Sequence, residues 1–134
     1  MISLICSINQ NLLIDKPLIK INHLGNNEIK ELYCEDLVKY LSPLKSKLDV
    51  KDQNRLKKNP LRILDSKSEI TQNILKDAPK INNYISNSSR VLLDEIIKTF
   101  SPECNIQIDS SLVRGLDYYT GFVFEAISDD LGAQ

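Results

Sequence analysis

Apolar residues recur along this chain in two rhythms. Across residues 28–41 they fall at 29, 32, 33, 37, 40 and 41, one face of a helix, while Glu28, Lys30, Glu31, Glu35, Asp36 and Lys39 line the other side. Asn26 or Asn27 stands just before it as a side-chain cap, and Pro43 just after it as a stop. The same period predicts helices over 2–8, 49–58, 68–75 and 88–100. Asp49, Ser66 or Ser68, and Ser86 or Asn87 are placed to cap the last three, and Pro60, Pro79 and Pro102 punctuate the connections. Alternation marks the other elements. Ile19 and Ile21 interleave with Lys20 and Asn22 in a predicted half-buried strand over 18–24, and further strands are predicted over 105–109 and 122–127.

The predicted order is helix, strand, a block of about four helices, then two or three strands. Helices bracketed by strands point to an α+β fold in which a helical insertion interrupts a sheet-containing domain. The boundaries expected are 1–25 for a helix-and-strand part of the core, 26–104 for the helical insertion and 105–134 for the rest of the core.

Composition narrows the function classes. The 134 residues are 42% hydrophobic and 26% charged, with a net charge of −1 and little glycine or proline, as in an ordinary globular domain. No global basic field advertises nucleic acid, so any such role must rest on a local patch such as Arg55, Lys57, Lys58 and Arg62. No apolar run reaches the roughly 20 residues a membrane-spanning helix needs. Three scattered cysteines (Cys6, Cys34, Cys104) without CxxC spacing suggest reduced thiols in a cytoplasmic protein. Met1 opens straight into an apolar run without a cap and Gln134 follows a strand with no closing element, so the chain reads as cut at both ends.

The chemistry-bearing residues gather in residues 112–125, LVRGLDYYTGFVFE. Arg114 offers a permanently charged planar fork suited to phosphate or carboxylate, and Gly115 beside it permits close approach. The alternative is an ion pair with Asp117 or Glu125. Asp117 could orient Arg114 or cap the turn. Tyr118 and Tyr119 are adjacent, so on an extended backbone they point to opposite faces, one towards a pocket and one into the core. His23, the one histidine, has no nucleophile or second ligand patterned around it and reads as a strand or turn residue.

Residues 112–125 closely resemble the Arg-Gly-Leu-Asp-Tyr-Tyr signature of histidyl-tRNA synthetases. Residues 59–67 (NPLRILDSK), with Asp77, Ala78 and Pro79 downstream, look like that family's insertion domain, and residues 19–25 (IKINHLG) like the strand and turn before it. The three matches lie in family order at family spacing. The resemblance implies part of a class II synthetase antiparallel-sheet catalytic core, interrupted by a helical insertion domain. The activity implied is ATP-dependent activation of L-histidine and its transfer to tRNA(His), with Mg2+, by a cytoplasmic homodimer. It places Arg114 at the α-phosphate as the catalytic cation and Arg114, Tyr118 and Tyr119 at L-histidine. It also makes Arg55, Lys57, Lys58 and Arg62 candidates for tRNA contact. The family's motifs 1 and 2 would precede Met1, and its second glycine-rich stretch, motif 3 and anticodon-binding domain would follow Gln134. The chain alone is therefore expected to form no histidyl-adenylate. A non-catalytic relative, of the type of the ATP phosphoribosyltransferase regulatory subunit, is the competing reading; such relatives tend to lose the arginine or the insertion, both present here.

Overall fold

The predicted helices after residue 25 each begin where a side-chain oxygen takes up a backbone N–H that the first turn would leave without a partner. Asn26 accepts from Ile29 and opens α2 (Asn27–Leu41). Asp49 accepts from Asp52 at the start of α3 (Val50–Lys58). Ser68 accepts from Thr71 before α4 (Glu69–Leu75), and Ser86 from Ser89 before α5 (Asn87–Phe100). An uncapped helix, α1 (Ile2–Asn11), precedes them. The structure is a computed structural model and describes residues 1–11, 16–113 and 119–127, the side chains of 9–11 excepted.

α2 ends at Leu41, two residues before Pro43, as expected. The chain tightens into a 3-10 turn, Ser42–Lys47, where proline's missing N–H costs nothing. Two more 3-10 turns, Pro60–Ile63 and Ile81–Asn83, link α3 to α4 and α4 to α5.

The described strands are β1 (Leu18–His23), β2 (Asn105–Ile108) and β3 (Phe122–Ile127), in the order β2-β1-β3. The earliest strand is thus central. β3 runs antiparallel to it, Ile21 opposite Phe124 and Lys20 opposite Glu125. β2 runs parallel to it, Ile19 beside Ile106. The expected antiparallel sheet is therefore corrected to a mixed one. A parallel neighbour needs a crossover connection of a dozen residues or more, and the helices between β1 and β2 supply it.

The largest apolar cluster joins Tyr33, Leu37 and Leu41 of α2 to Leu56, Ile63, Leu75 and Ile81 of the other helices and turns. It also takes in Leu24, Leu112, Val113 and Val123 from around the sheet. A second cluster packs Cys6 and Cys104 against Ile19, and here the expectation of reduced thiols is corrected for two of the three cysteines. α1 and the turn after α5 meet over β1, bring the Cα atoms to 6.4 Å, and Cys6 and Cys104 form a disulfide. Cys34 on α2 is not part of it. α5 buries only Leu93 fully, while Val91 and Leu92 of its apolar stripe stay exposed.

Two polar positions depart from their predicted faces. Asn22, expected on the open side of β1, is fully buried. Lys30, expected on the polar side of α2, is only 7% exposed. Both departures lead to the candidate site.

Candidate functional site

The chain turns sharply after His23 because Gly25 adopts φ 71°, a conformation that favours glycine. A Cβ at Gly25 would lie 2.4 Å from Ile29 Cγ2, so the turn also brings β1 close against the start of α2. His23 stabilises it: Nδ1 accepts the Gly25 N–H at 3.0 Å, which puts the neutral ring's proton on Nε2. The ring stands edge to face on Phe122, centroids 4.7 Å apart. Burial holds the His23 pKa below its ordinary value. His23 is the last residue of β1 and its side chain braces the turn that follows.

This turn carries the tyrosine segment. The Leu24 N–H donates to the Gly121 carbonyl, and the Gly121 N–H donates to the Gly25 carbonyl, both at 2.8 Å. Gly121 itself has φ 70°. Two residues earlier the Lys30 ammonium donates to the Tyr119 carbonyl at 2.9 Å. On the entry side, the Asn22 amide donates to the Leu112 carbonyl at 3.0 Å while its Oδ1 accepts the His23 N–H. The C-terminal end of β1 and the first turn of α2 thus grip the main chain at Leu112 and again at Tyr119 and Gly121.

Of the predicted site residues, Tyr119 is described and 40% exposed, its ring reaching solvent while its carbonyl is tied inward. Arg114 and Tyr118, with Asp117, lie outside the described residues. Glu125 is half-buried on β3, opposite Lys20. Lys20 pairs with Asp109 at 3.0 Å. Burial alone would raise the Asp109 carboxyl, but hydrogen bonds from Ser111 and Lys20 outweigh it and hold the pKa below the usual value.

Reasoning from the sequence missed Asn22 and Lys30. Lys30 could have been found. The buried positions of α2 are 30, 33, 37 and 41, so extending the stripe of Tyr33, Leu37 and Leu41 back one turn lands on it. Asn22 carries no comparable signal, because its partner lies ninety residues away.

The basic cluster divides. Arg55 pairs with Asp52 at 3.0 Å and lies mostly under the surface. Asp52 is buried and also accepts from Thr71 Oγ1 at 2.7 Å and from Ser66 Oγ. One carboxylate therefore ties α3 to the 59–67 segment and to α4. Lys57, Lys58 and Arg62 are exposed. Lys58 shares with Lys30, Cys34 and Asn59 the wall of a cleft of about 280 Å³ between α2 and α3. Among the described residues no three His, Cys, Asp or Glu side chains converge as metal ligands, and no helix is long and apolar enough to cross a membrane.

A family model described as histidyl-tRNA synthetase matches residues 19–134. Among curated proteins, a histidine–tRNA ligase of Gloeothece citriformis is 44% identical over 99% of this chain and 31% of its own length. One from Lactobacillus delbrueckii subsp. bulgaricus is 45% identical over 84% of this chain and 26% of its own. Among solved structures, apo Staphylococcus aureus histidyl-tRNA synthetase superposes with a TM-score of 0.63 at 27% identity. That match covers 92% of this chain and 29% of the other. The chain thus spans less than a third of the length of the relatives it matches.

Proposed function

The chain belongs to the histidyl-tRNA synthetase family, and from that premise we propose that it supplies the amino-acid-recognition wall of a histidine–tRNA ligase. The observation that carries the reading is the anchoring of the described residues on either side of 114–118: Leu112, Tyr119 and Gly121 are tied to one corner of the fold. A site that must select one amino acid needs its recognition groups on a fixed backbone.

In this reading Tyr118 and Tyr119 bind L-histidine, a hydroxyl reading the imidazole, since a mismatched ligand would leave a polar group without its partner. Arg114 binds the α-phosphate of ATP. As the histidine carboxylate attacks that phosphorus and pyrophosphate leaves, negative charge builds on the equatorial oxygens, and a fixed guanidinium beside them lowers the barrier. The aminoacyl group then passes from the adenylate to tRNA(His). Residues 26–104 form the helical insertion domain, with Lys57, Lys58 and Arg62, and Arg55 behind them, facing the tRNA backbone. No described residue is assigned to Mg2+, which would accompany ATP. The complete enzyme would be a cytoplasmic homodimer.

The test is a transplant. Replacing the matching segment of the S. aureus synthetase by this chain is expected to leave histidine-dependent pyrophosphate exchange and tRNA(His) charging in place. In that chimera, Arg114→Ala lowers exchange by about 10²–10³-fold, the scale of removing one transition-state donor. The isolated chain gives no exchange above background. An Arg114→Ala chimera as active as its parent would overturn the reading.

A further inference from the structure

Lys30 belongs to no recognised motif, yet its setting is unusual for a lysine in the first turns of a helix. It occupies the apolar stripe of α2 and is almost wholly covered. A buried ammonium must be met by polar partners, and one of them is the Tyr119 carbonyl at 2.9 Å. We propose that Lys30 is a positioning residue for amino-acid recognition, holding the main chain at Tyr119 so that the ring is presented at a fixed angle; the recognition part rests on the reading that Tyr119 binds L-histidine.

The geometry supports this in three ways. A charge-assisted bond to a carbonyl holds the peptide plane between Tyr119 and Thr120, which narrows the directions open to the Tyr119 Cα–Cβ bond. Two residues on, the paired bonds of Gly121 with Leu24 and Gly25 fix the following turn, so Lys30 supplies the upstream hold that those bonds lack. Tyrosine also has only two side-chain torsions, so once the backbone is set little freedom remains between Lys30 and the phenol. A long rigid ring magnifies any rotation at its base, and recognition sites tolerate displacements of only about 0.5 Å.

The experiment uses the 134-residue chain labelled with 13C-carbonyl tyrosine and 15N threonine. Tyr119–Thr120 is the single Tyr–Thr step in the sequence, so one carbonyl–amide correlation reports this peptide alone. Lys30→Met, which keeps the stem and removes the donor, is expected to shift that correlation and speed Thr120 amide exchange beyond any change in global stability. Lys30→Arg, which can donate to the same carbonyl, is expected to restore both. If Lys30→Met fails to fold, Lys30→Gln keeps a shorter donor and should give an intermediate shift. In the chimeric synthetase, Lys30→Met raises KM for L-histidine about tenfold with KM for ATP little changed, and Lys30→Arg recovers most of it.

An unshifted correlation in Lys30→Met and Lys30→Gln would overturn the hold on Tyr119. Equal losses for ATP and histidine would reduce Lys30 to a general structural role, overturning its part in recognition. Failure of the histidine reading looks different: Tyr119→Phe and Arg114→Ala chimeras would then match their parent, whatever Lys30 does to the correlation.

Discussion

The Asn22 side chain donates to the Leu112 carbonyl at 3.0 Å, across ninety residues of sequence, and with its other end accepts the next residue's N–H. The amide is completely buried, so both bonds are made without water to replace them. Asn22→Leu, close in size, should therefore destabilise the chain by about 2–3 kcal/mol, because it orphans a buried carbonyl and a backbone N–H. Urea unfolding reads this as a lower midpoint at unchanged slope. A midpoint within error of the wild type would show that the bond contributes nothing.

The two left-handed glycines separate strain from space. Gly121 has φ 70° and open space where a Cβ would stand, with no neighbouring atom within 4 Å, whereas a Cβ at Gly25 would overlap Ile29. Gly121→Ala should cost about 1 kcal/mol, and Gly25→Ala about 3 kcal/mol, since it adds a clash to the same backbone penalty. Equal costs would mean that Ile29 moves aside freely.

Asp52 is the centre of the helical part. Asp52→Ala strands Arg55, Ser66 and Thr71 at once and should cost about 3 kcal/mol or more. Arg55→Gln should also lower the unfolding midpoint. By contrast, replacing Lys57, Lys58 and Arg62 together with glutamine should leave the midpoint unchanged while weakening tRNA(His) binding to the chimera. The logarithmic salt slope should fall by about two, as for loss of three phosphate contacts. An unaltered slope would remove these residues from the tRNA interface.

His23 makes stability depend on pH. Burial lowers its folded pKa below 6.5, and the Gly25 N–H bond requires an unprotonated Nδ1. As pH falls, the unfolded chain therefore binds the proton first. The contribution is complete above pH 6.5 and declines as pH drops below that value. His23→Gln should flatten this segment of the stability–pH curve, measured by urea unfolding between pH 5 and 8. A curve of the same slope in the variant would assign the dependence to other groups.

The disulfide can be counted directly. Unfolded without reductant, the chain should show one thiol, that of Cys34, and after reduction all three. Three thiols from unreduced protein would show that Cys6 and Cys104 are not bonded to each other.

Local chemistry was legible in the sequence and distant chemistry was not. Asp49 could be read as a cap outright, and Asn26, Ser68 and Ser86 each as one of two candidates, because a cap's partner lies three residues on. β1 and β3 followed from alternation, but not that β2 would lie parallel to β1, because strand direction depends on where the intervening helices return the chain. Arg55 looked like its basic neighbours until Asp52, one turn before it, proved to be buried. Lys30 and Asn22 were assigned to solvent because polarity ordinarily marks the outer face. Each is inside because a carbonyl from the far end of the chain needs a donor there.

The central position of β1 also has a consequence for how the chain is made. Leu18 finds its neighbours only when Asn105 and Ile127 have been synthesised. At ribosomal rates of about 5–20 residues per second, the strand waits roughly 4–20 s after emerging before either side can pair. During that interval Ile19 and Ile21, later among the most deeply covered residues, have neither of these two neighbours beside them. The helices of residues 27–100, built on short-range contacts, can form meanwhile. A nascent chain of this kind is most exposed to chaperones, and to self-association, just before residues 105–127 appear.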